Sequence, residues 1–212
     1  MNGSYKTICL IIILFGLGST QKSFAQESRF GLHLTPNLFW FGSENDKSDV
    51  SAGFRVNWGL IADFYFSERY AIHSGVSIGQ RASSLKLNDT TGSFRQSVLD
   101  IPIALKMQSA DMGNYRLFAK FGSILSFNTG EKVNFRPEFN EARLLEDYFL
   151  DFQLNFLVGI GLTYDIGGGS EALIGLDYQG GITNALSSQH PHINKRDNFR
   201  MNGINLSLGF LF

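Results

Sequence analysis

Ten charged side chains share faces otherwise built from Gly, Ala, Ser, Thr and Asn: Arg55, Arg81, Lys106, Arg116 and Lys120, with Asp63, Asp100, Asp151, Asp165 and Asp177. There are five of each sign. A solvated surface has no need of that balance. A closed interior does, because a buried charge without a partner is costly. The chemistry expected of this set is therefore pairing. Counted from the short turns between segments, Lys120 and Asp177 sit at similar depth, Asp100 a little further and Arg55 further still. These four are expected to form an internal ion-pair network, with Asp63, Lys106, Arg116 and Asp165 near the periplasmic mouth. Such a network could gate a narrow pore, or it could plug and stabilise an interior too narrow to conduct. The plug is the expected reading.

Other reactive residues carry less. His33 and His73 are isolated on the same small-residue faces and read as packing or network members. His190 and His192 flank Pro191 and could hold a transition metal from one extended segment, but no Cys and no third His accompanies them. A nucleophile needs a base beside it, and no serine is singled out by its spacing. Gly167, Gly168 and Gly169 form a turn and not a phosphate cradle, since no helix follows. The sequence assigns no catalytic, cofactor-binding or metal site, and no enzymatic activity.

The elements that position the charges are strands. Phe54, Val56, Trp58, Leu60, Ala62, Phe64 and Phe66 lie on one face of a segment whose other face carries Arg55, Asn57, Gly59, Ile61, Asp63 and Tyr65. Leu150 to Tyr164 alternates as clearly, against Asp151, Gln153, Asn155, Gly159, Gly161, Thr163 and Asp165. Weaker alternations run over Arg29–Phe39, Tyr70–Gly79, Leu99–Met107, Tyr115–Leu125, Ala172–Thr183 and Ile204–Phe212, for eight strands in all. Pro36 suggests a bulge or a strand end. Connections are expected to be long after the first, third, fifth and seventh strands, including a polar stretch from Gln80 to Gln96 and a charged loop from Asn128 to Asp147. They are short after the second, fourth and sixth. That alternation, with an even strand number, is the pattern of a barrel inserted in an outer membrane.

Composition agrees. Phe accounts for 20 residues and Gly for 23, with only 4 Pro. Lys6, the apolar run from Ile8 to Leu17 and the small residues Ser23 and Ala25 read as a signal peptide over residues 1–25, leaving a barrel domain over 26–212. Cleavage would remove Lys6, Lys22 and Cys9, the only cysteine, and take the formal charge from −1 to −3. No disulfide and no basic footprint for nucleic acid would remain. A lipocalin-like barrel or a β-sandwich would turn the apolar faces inward. Those faces carry roughly three dozen large side chains, more than an eight-stranded interior can hold; a sandwich could bury more but would expose a polar face dotted with glycine, where Gly weakens strands. The expected fold is therefore an all-β, eight-stranded antiparallel transmembrane barrel. Its apolar face meets outer-membrane lipid, and both mature termini are periplasmic.

Aromatic belts are expected at both interfaces: Phe64, Phe66, Tyr70, Tyr115, Tyr164, Phe210 and Phe212 at the periplasmic one, and Phe39, Trp40, Phe54, Phe127, Phe149 and Phe152 at the outer one. The last strand is expected to close on the first near Phe30 to Leu34, with Phe212 as the signal read by outer-membrane assembly machinery. Phe135, Pro137, Phe139, Leu144 and Leu145 interleave with charges in the 128–147 loop, which could fold over the mouth or bind a protein partner.

Leu99 to Lys106, reading Leu-Asp-Ile-Pro-Ile-Ala-Leu-Lys, resembles the leucine–acid–Ile-Pro–aliphatic–Lys segment of the PorT-like outer-membrane β-barrel family of Bacteroidetes. Leu176 to Asn184 is similar to that family's Tyr-x-x-Gly-Leu-Thr-Asn segment, with Leu176-Asp177 where an aromatic–Arg pair often stands. The resemblance implies an eight-stranded outer-membrane barrel and no particular reaction. One branch of the family works with type IX secretion machinery, and no motif here selects that branch. The leading expectation is a non-enzymatic barrel acting structurally or through its outer loops. The alternatives are a narrow pore for small solutes and an accessory barrel of a type IX secretion apparatus.

Overall fold

In the computed structural model, residues 28–42, 49–87, 90–136, 150–184 and 200–212 are described. They form eight strands: β1 (Ser28–Gly42), β2 (Asp49–Ser67), β3 (Tyr70–Leu87), β4 (Thr90–Gln108), β5 (Tyr115–Arg136), β6 (Phe152–Gly167), β7 (Ser170–Gly181) and β8 (Arg200–Leu211). Each pairs antiparallel with its sequence neighbour, and β8 returns to β1 to close the barrel. The seam runs from Gly31↔Leu211 to Gly42↔Arg200. Phe30 and Phe212 extend it by exchanging backbone hydrogen bonds of 2.8 and 3.1 Å. No sheet edge is left along the seam, which removes the usual template for unwanted pairing.

The alternation read from the sequence is the alternation of the wall. Phe30, Leu32, Leu34, Phe54, Trp58, Leu60, Ile160, Leu176 and Phe210 all point outward and are exposed. Buried positions alternate with them along β7 and β8. One end of the barrel, the turn end, carries the short connections and both ends of the described chain. There, Gly168 and Gly169 take φ of +66° and +81°, the left-handed values that a two-residue hairpin turn needs at both centres.

The other end, the loop end, differs from expectation. Gln80 to Gln96 is not a loop: β3 runs to Leu87 and β4 begins at Thr90, paired residue for residue from Ile78↔Leu99 to Leu87↔Thr90. The 128–147 loop likewise begins as strand, since β5 continues to Arg136 against Thr91 of β4. Both stretches are too polar to show an alternation, yet the ladder forms wherever a neighbouring strand supplies partners. Residues 137–149, with Phe149, lie outside the described residues, as do His190 and His192. Strands β2 to β5 have 19, 18, 19 and 22 residues, against 12 each for β7 and β8. The wall is therefore taller on one side.

Pro36 neither bulges nor ends β1. It pairs with Val56 in unbroken register, and on the β8 side pairing lapses only between Leu34↔Leu208 and Asn37↔Asn205. A proline has no N–H to give the ladder, and the register survives the missing bond.

Candidate functional site: the barrel lumen

The lumen is layered. At the turn end, Glu171 is 2% exposed and accepts from both Arg29 and Arg116. Arg116 also lies 3.4 Å from Asp111. Above this layer, Ile61, Phe118, Leu173 and Leu211 pack into an apolar plug. These four occupy inward positions that a narrow barrel fills with side chains.

Beside this plug, Asp63 and Lys106 are both fully buried, with Lys106 Nζ 2.5 Å from Asp63 Oδ2. His73 Nδ1 stands 2.6 Å from the other oxygen, so the carboxylate is held from two sides. Two ammonium groups lie over the Phe118 ring, Lys106 Nζ at 4.9 Å and Lys120 Nζ at 5.6 Å from its centroid. A cation on an aromatic face is stabilised by the ring quadrupole, more so when desolvated.

Lys120 pairs with Asp177 at 3.0 Å, and the Ser207 hydroxyl donates to the same carboxylate. Gly159 lies alongside, where a Cβ would overlap the Asp177 carboxylate, so the pair depends on a residue without a side chain. His33 Nδ1 meets Thr35 Oγ1 at 3.0 Å. Beside these groups is a cavity of about 60 Å³, whose lining includes His33, His73, Lys120, Asp177 and Asn205 and the apolar Ile124 and Leu157. Asp177 Oδ1, Gln179 Nε2 and Asn205 Oδ1 are buried without a protein hydrogen bond. A polar cavity of this size accommodates a few waters, which would satisfy such groups.

At the loop end, Arg81 is fully buried. It donates to Asp100 Oδ1 at 2.7 Å, Ser126 Oγ at 2.8 Å and Gln153 Oε1 at 3.5 Å. The Phe39 ring covers its guanidinium at 5.0 Å and packs against Gly203.

The expected network is therefore rearranged. Lys120 and Asp177 meet, and so do Asp63 and Lys106. Arg55 does not join them: it is half-buried, and its Nη1 donates to the Phe54 carbonyl at 2.6 Å. Arg55 lies within the irregular register between Ala52 and Trp58 on the β3 side of β2. Asp100 pairs with Arg81, from a stretch expected to be loop. Arg116 is at the turn-end mouth, but its acid is Glu171. Asp165 is exposed and accepts from the Gly167 backbone N–H at 2.7 Å, capping the turn instead of joining the mouth. Glu171 could have been found by continuing the β7 alternation two residues back from Leu173. Phe39, expected in the outer aromatic belt, is 1% exposed and faces inward. Trp40 takes the outward position and meets Tyr178 at 6.5 Å.

Among the described residues three buried cations thus face three buried aspartates, Arg81, Lys106 and Lys120 against Asp100, Asp63 and Asp177, while the buried Glu171 is met by Arg29 and Arg116. Among the described residues, no group of three His, Cys, Asp or Glu is placed to hold a metal. Ser207 is engaged by a carboxylate already bound to Lys120, so it has no free base beside it.

The model for the outer membrane protein beta-barrel domain family matches residues 19–187. The outer membrane protein OprG from Pseudomonas aeruginosa superposes with a TM-score of 0.53 at 11% identity, over 88% of this chain and 95% of that one. The outer membrane protease OmpT from Escherichia coli gives a TM-score of 0.51 at 6% identity, over 91% and 99%. No curated protein matches the chain. A fold shared with a protease as well as with OprG leaves the activity to be argued from the site. The match over most of the described strands, joined to the closed eight-stranded wall, makes this chain a member of the outer membrane protein β-barrel domain family, resident in the outer membrane.

Proposed function

We propose that the barrel is a non-enzymatic, non-conducting scaffold of the outer membrane that acts through what it presents at its loop end. The observation that carries this reading is the occluded lumen. The plug of Ile61, Phe118, Leu173 and Leu211 lies below the cavity, and Arg81 under Phe39 lies above it. Among the described residues each buried cation has a counter-ion, so none of these charges is left to draw an ion through. The reading includes cleavage after Ala25, both mature termini in the periplasm, the loop end outside, and Phe212 as a signal to the assembly machinery. In planar bilayers the purified protein should give no steady unitary conductance. A steady conductance altered by Lys120→Ala would replace the scaffold with a narrow pore, the second reading, which the water-sized cavity favours. The intact N-terminus by mass spectrometry tests the cleavage.

The resemblance of Leu99–Lys106 to PorT-like barrels supports a third reading, an accessory role in type IX secretion with a protein partner at the loop end. Co-purification of secretion components with the detergent-extracted barrel would support it, and their absence would count against it.

A further inference from the structure

Inside the barrel every described buried charge is matched, but the outer wall at the loop end is not built that way. Arg95 of β4 stands directly opposite Lys132 of β5, and both are exposed. The alternation puts both outward: Gln96, the next residue on β4, is buried, and its partner Glu131 is half-buried. Two like charges directly opposite across an antiparallel pair oppose sheet formation. Neither has an ion-pair partner among the described side chains, and the outward strand face there carries no described carboxylate. The height is informative. Along β4 the outward positions run Leu99, Ser97, Arg95, so Arg95 is about 13 Å of strand beyond Leu99, less once the strand's tilt is allowed for. Leu99 pairs with Phe127, whose ring meets Phe152 at 5.4 Å and marks the aromatic belt at this end. On β8 the sequence Ile204, Asn202, Arg200 repeats the order aliphatic, polar, cation, with Arg200 exposed. A cation at this height above the apolar band lies among lipid headgroups.

We infer that Arg95 and Lys132 form a clamp for a phosphate group of a lipid headgroup in the loop-end leaflet, with Arg200 an outlying member of the same basic girdle. The guanidinium offers a planar fork to two phosphate oxygens and the ammonium a point charge to a third. An anion between them turns a repulsive pair into a bridged one. The inference rests on the barrel spanning the membrane, but not on which end faces out.

The test is native mass spectrometry of the full chain released from detergent micelles doped with either phosphatidic acid or phosphatidylcholine. Wild type should retain phosphatidic acid in preference, and Arg95→Gln with Lys132→Gln should cut the retained lipid, by roughly fivefold for each cation removed. Arg69→Gln, in the exposed β2–β3 turn, should retain it. Lys132→Glu gives the sharper result: it places opposite charges across the strands, so thermal stability in phosphatidylcholine should hold or rise while phosphatidic acid retention is lost. Equal retention by wild type and the double variant overturns the clamp. So does equal retention of the two lipids, or displacement of the lipid by millimolar inorganic phosphate, which would mean binding of phosphate from solution. Heat-modifiable gel mobility of each variant separates a failed clamp from a failed barrel.

Discussion

The two halves of the lumen hold their charges in different surroundings. In the turn-end half, Asp63 and Lys106 are both fully buried, next to the plug residue Phe118, and bonded only to each other and to His73. In the loop-end half, Arg81 is as deeply buried, but its partners Asp100, Ser126 and Gln153 form a polar cluster, and Asp100 lines the cavity. Neither Asp63 nor Lys106 lines the cavity, although His73 does, and the two make a single ion pair. The Arg81 cluster can redistribute its hydrogen bonds and reach water. The comparison implies that the same loss of charge should do unequal damage at the two ends.

The largest effect is expected from Lys106→Met. It leaves Asp63 buried with His73 alone and removes one of the two cations over the Phe118 ring. Stranding one member of a buried pair costs about 3 to 5 kcal/mol, and the urea midpoint of the refolded barrel in lipid vesicles should fall accordingly. Adding Asp63→Leu should recover most of that loss, because an apolar pair of similar volume is often neutral in such a site. A single variant that is no less stable than wild type would mean that water reaches this layer, and the contrast between the halves would go.

Next in size is Leu211→Ala. Leu211 is fully buried in the plug on the closing strand, and a cavity left there should cost about 2 to 5 kcal/mol. The same variant thins the apolar barrier, so planar-bilayer recordings would show whether the plug alone keeps the lumen closed. A third, smaller effect is expected of Arg81→Gln. The amide keeps some contact with Ser126 and Gln153, and Asp100 can turn to the cavity, so the loss should be about 1.5 to 3 kcal/mol, the range for hydrogen bonds to a charged group. If it matches or exceeds that of Lys106→Met, the two halves are equally dry.

Which of these features could be read from the sequence depends on the same physics. The lipid-facing strands were legible because a membrane enforces apolar residues at every second position, as along Phe54 to Phe66. The upper parts of β3, β4 and β5 were not, because a strand beyond the apolar band is under no such constraint and Gln80 to Gln96 reads as loop. Lys120 with Asp177 was found by counting from the turns, since the β5, β6 and β7 ladders run unbroken between those residues. Arg81 in place of Arg55 was missed because Arg81 lies in the Gln80 to Gln96 stretch that reads as loop, while Arg55 sits within the irregular register between Ala52 and Trp58. A depth count assumes a constant register, and a bulge breaks that assumption without leaving a pattern in the side chains.

The smallest change in stability is expected at the turn end itself, from Phe212→Ala. The Phe212 ring is 63% exposed, and its nearest ring, Phe210, is 6.5 Å away on the lipid side. Its backbone bonds to Phe30 do not depend on the side chain. Once folded in vesicles, the variant should therefore stay within about 1 kcal/mol of wild type, as an exposed substitution away from core and caps usually does. If the terminal aromatic is what the assembly machinery reads, the fraction of heat-modifiable barrel recovered from outer-membrane preparations should fall several-fold, while refolding yield in vitro is unchanged. The two measurements separate the ring's role in reaching the membrane from any role in holding the turn-end half together. A loss in vesicles as large as that of Leu211→Ala would place Phe212 with the plug residues as part of the packing, and a normal yield in cells would remove it as an assembly signal.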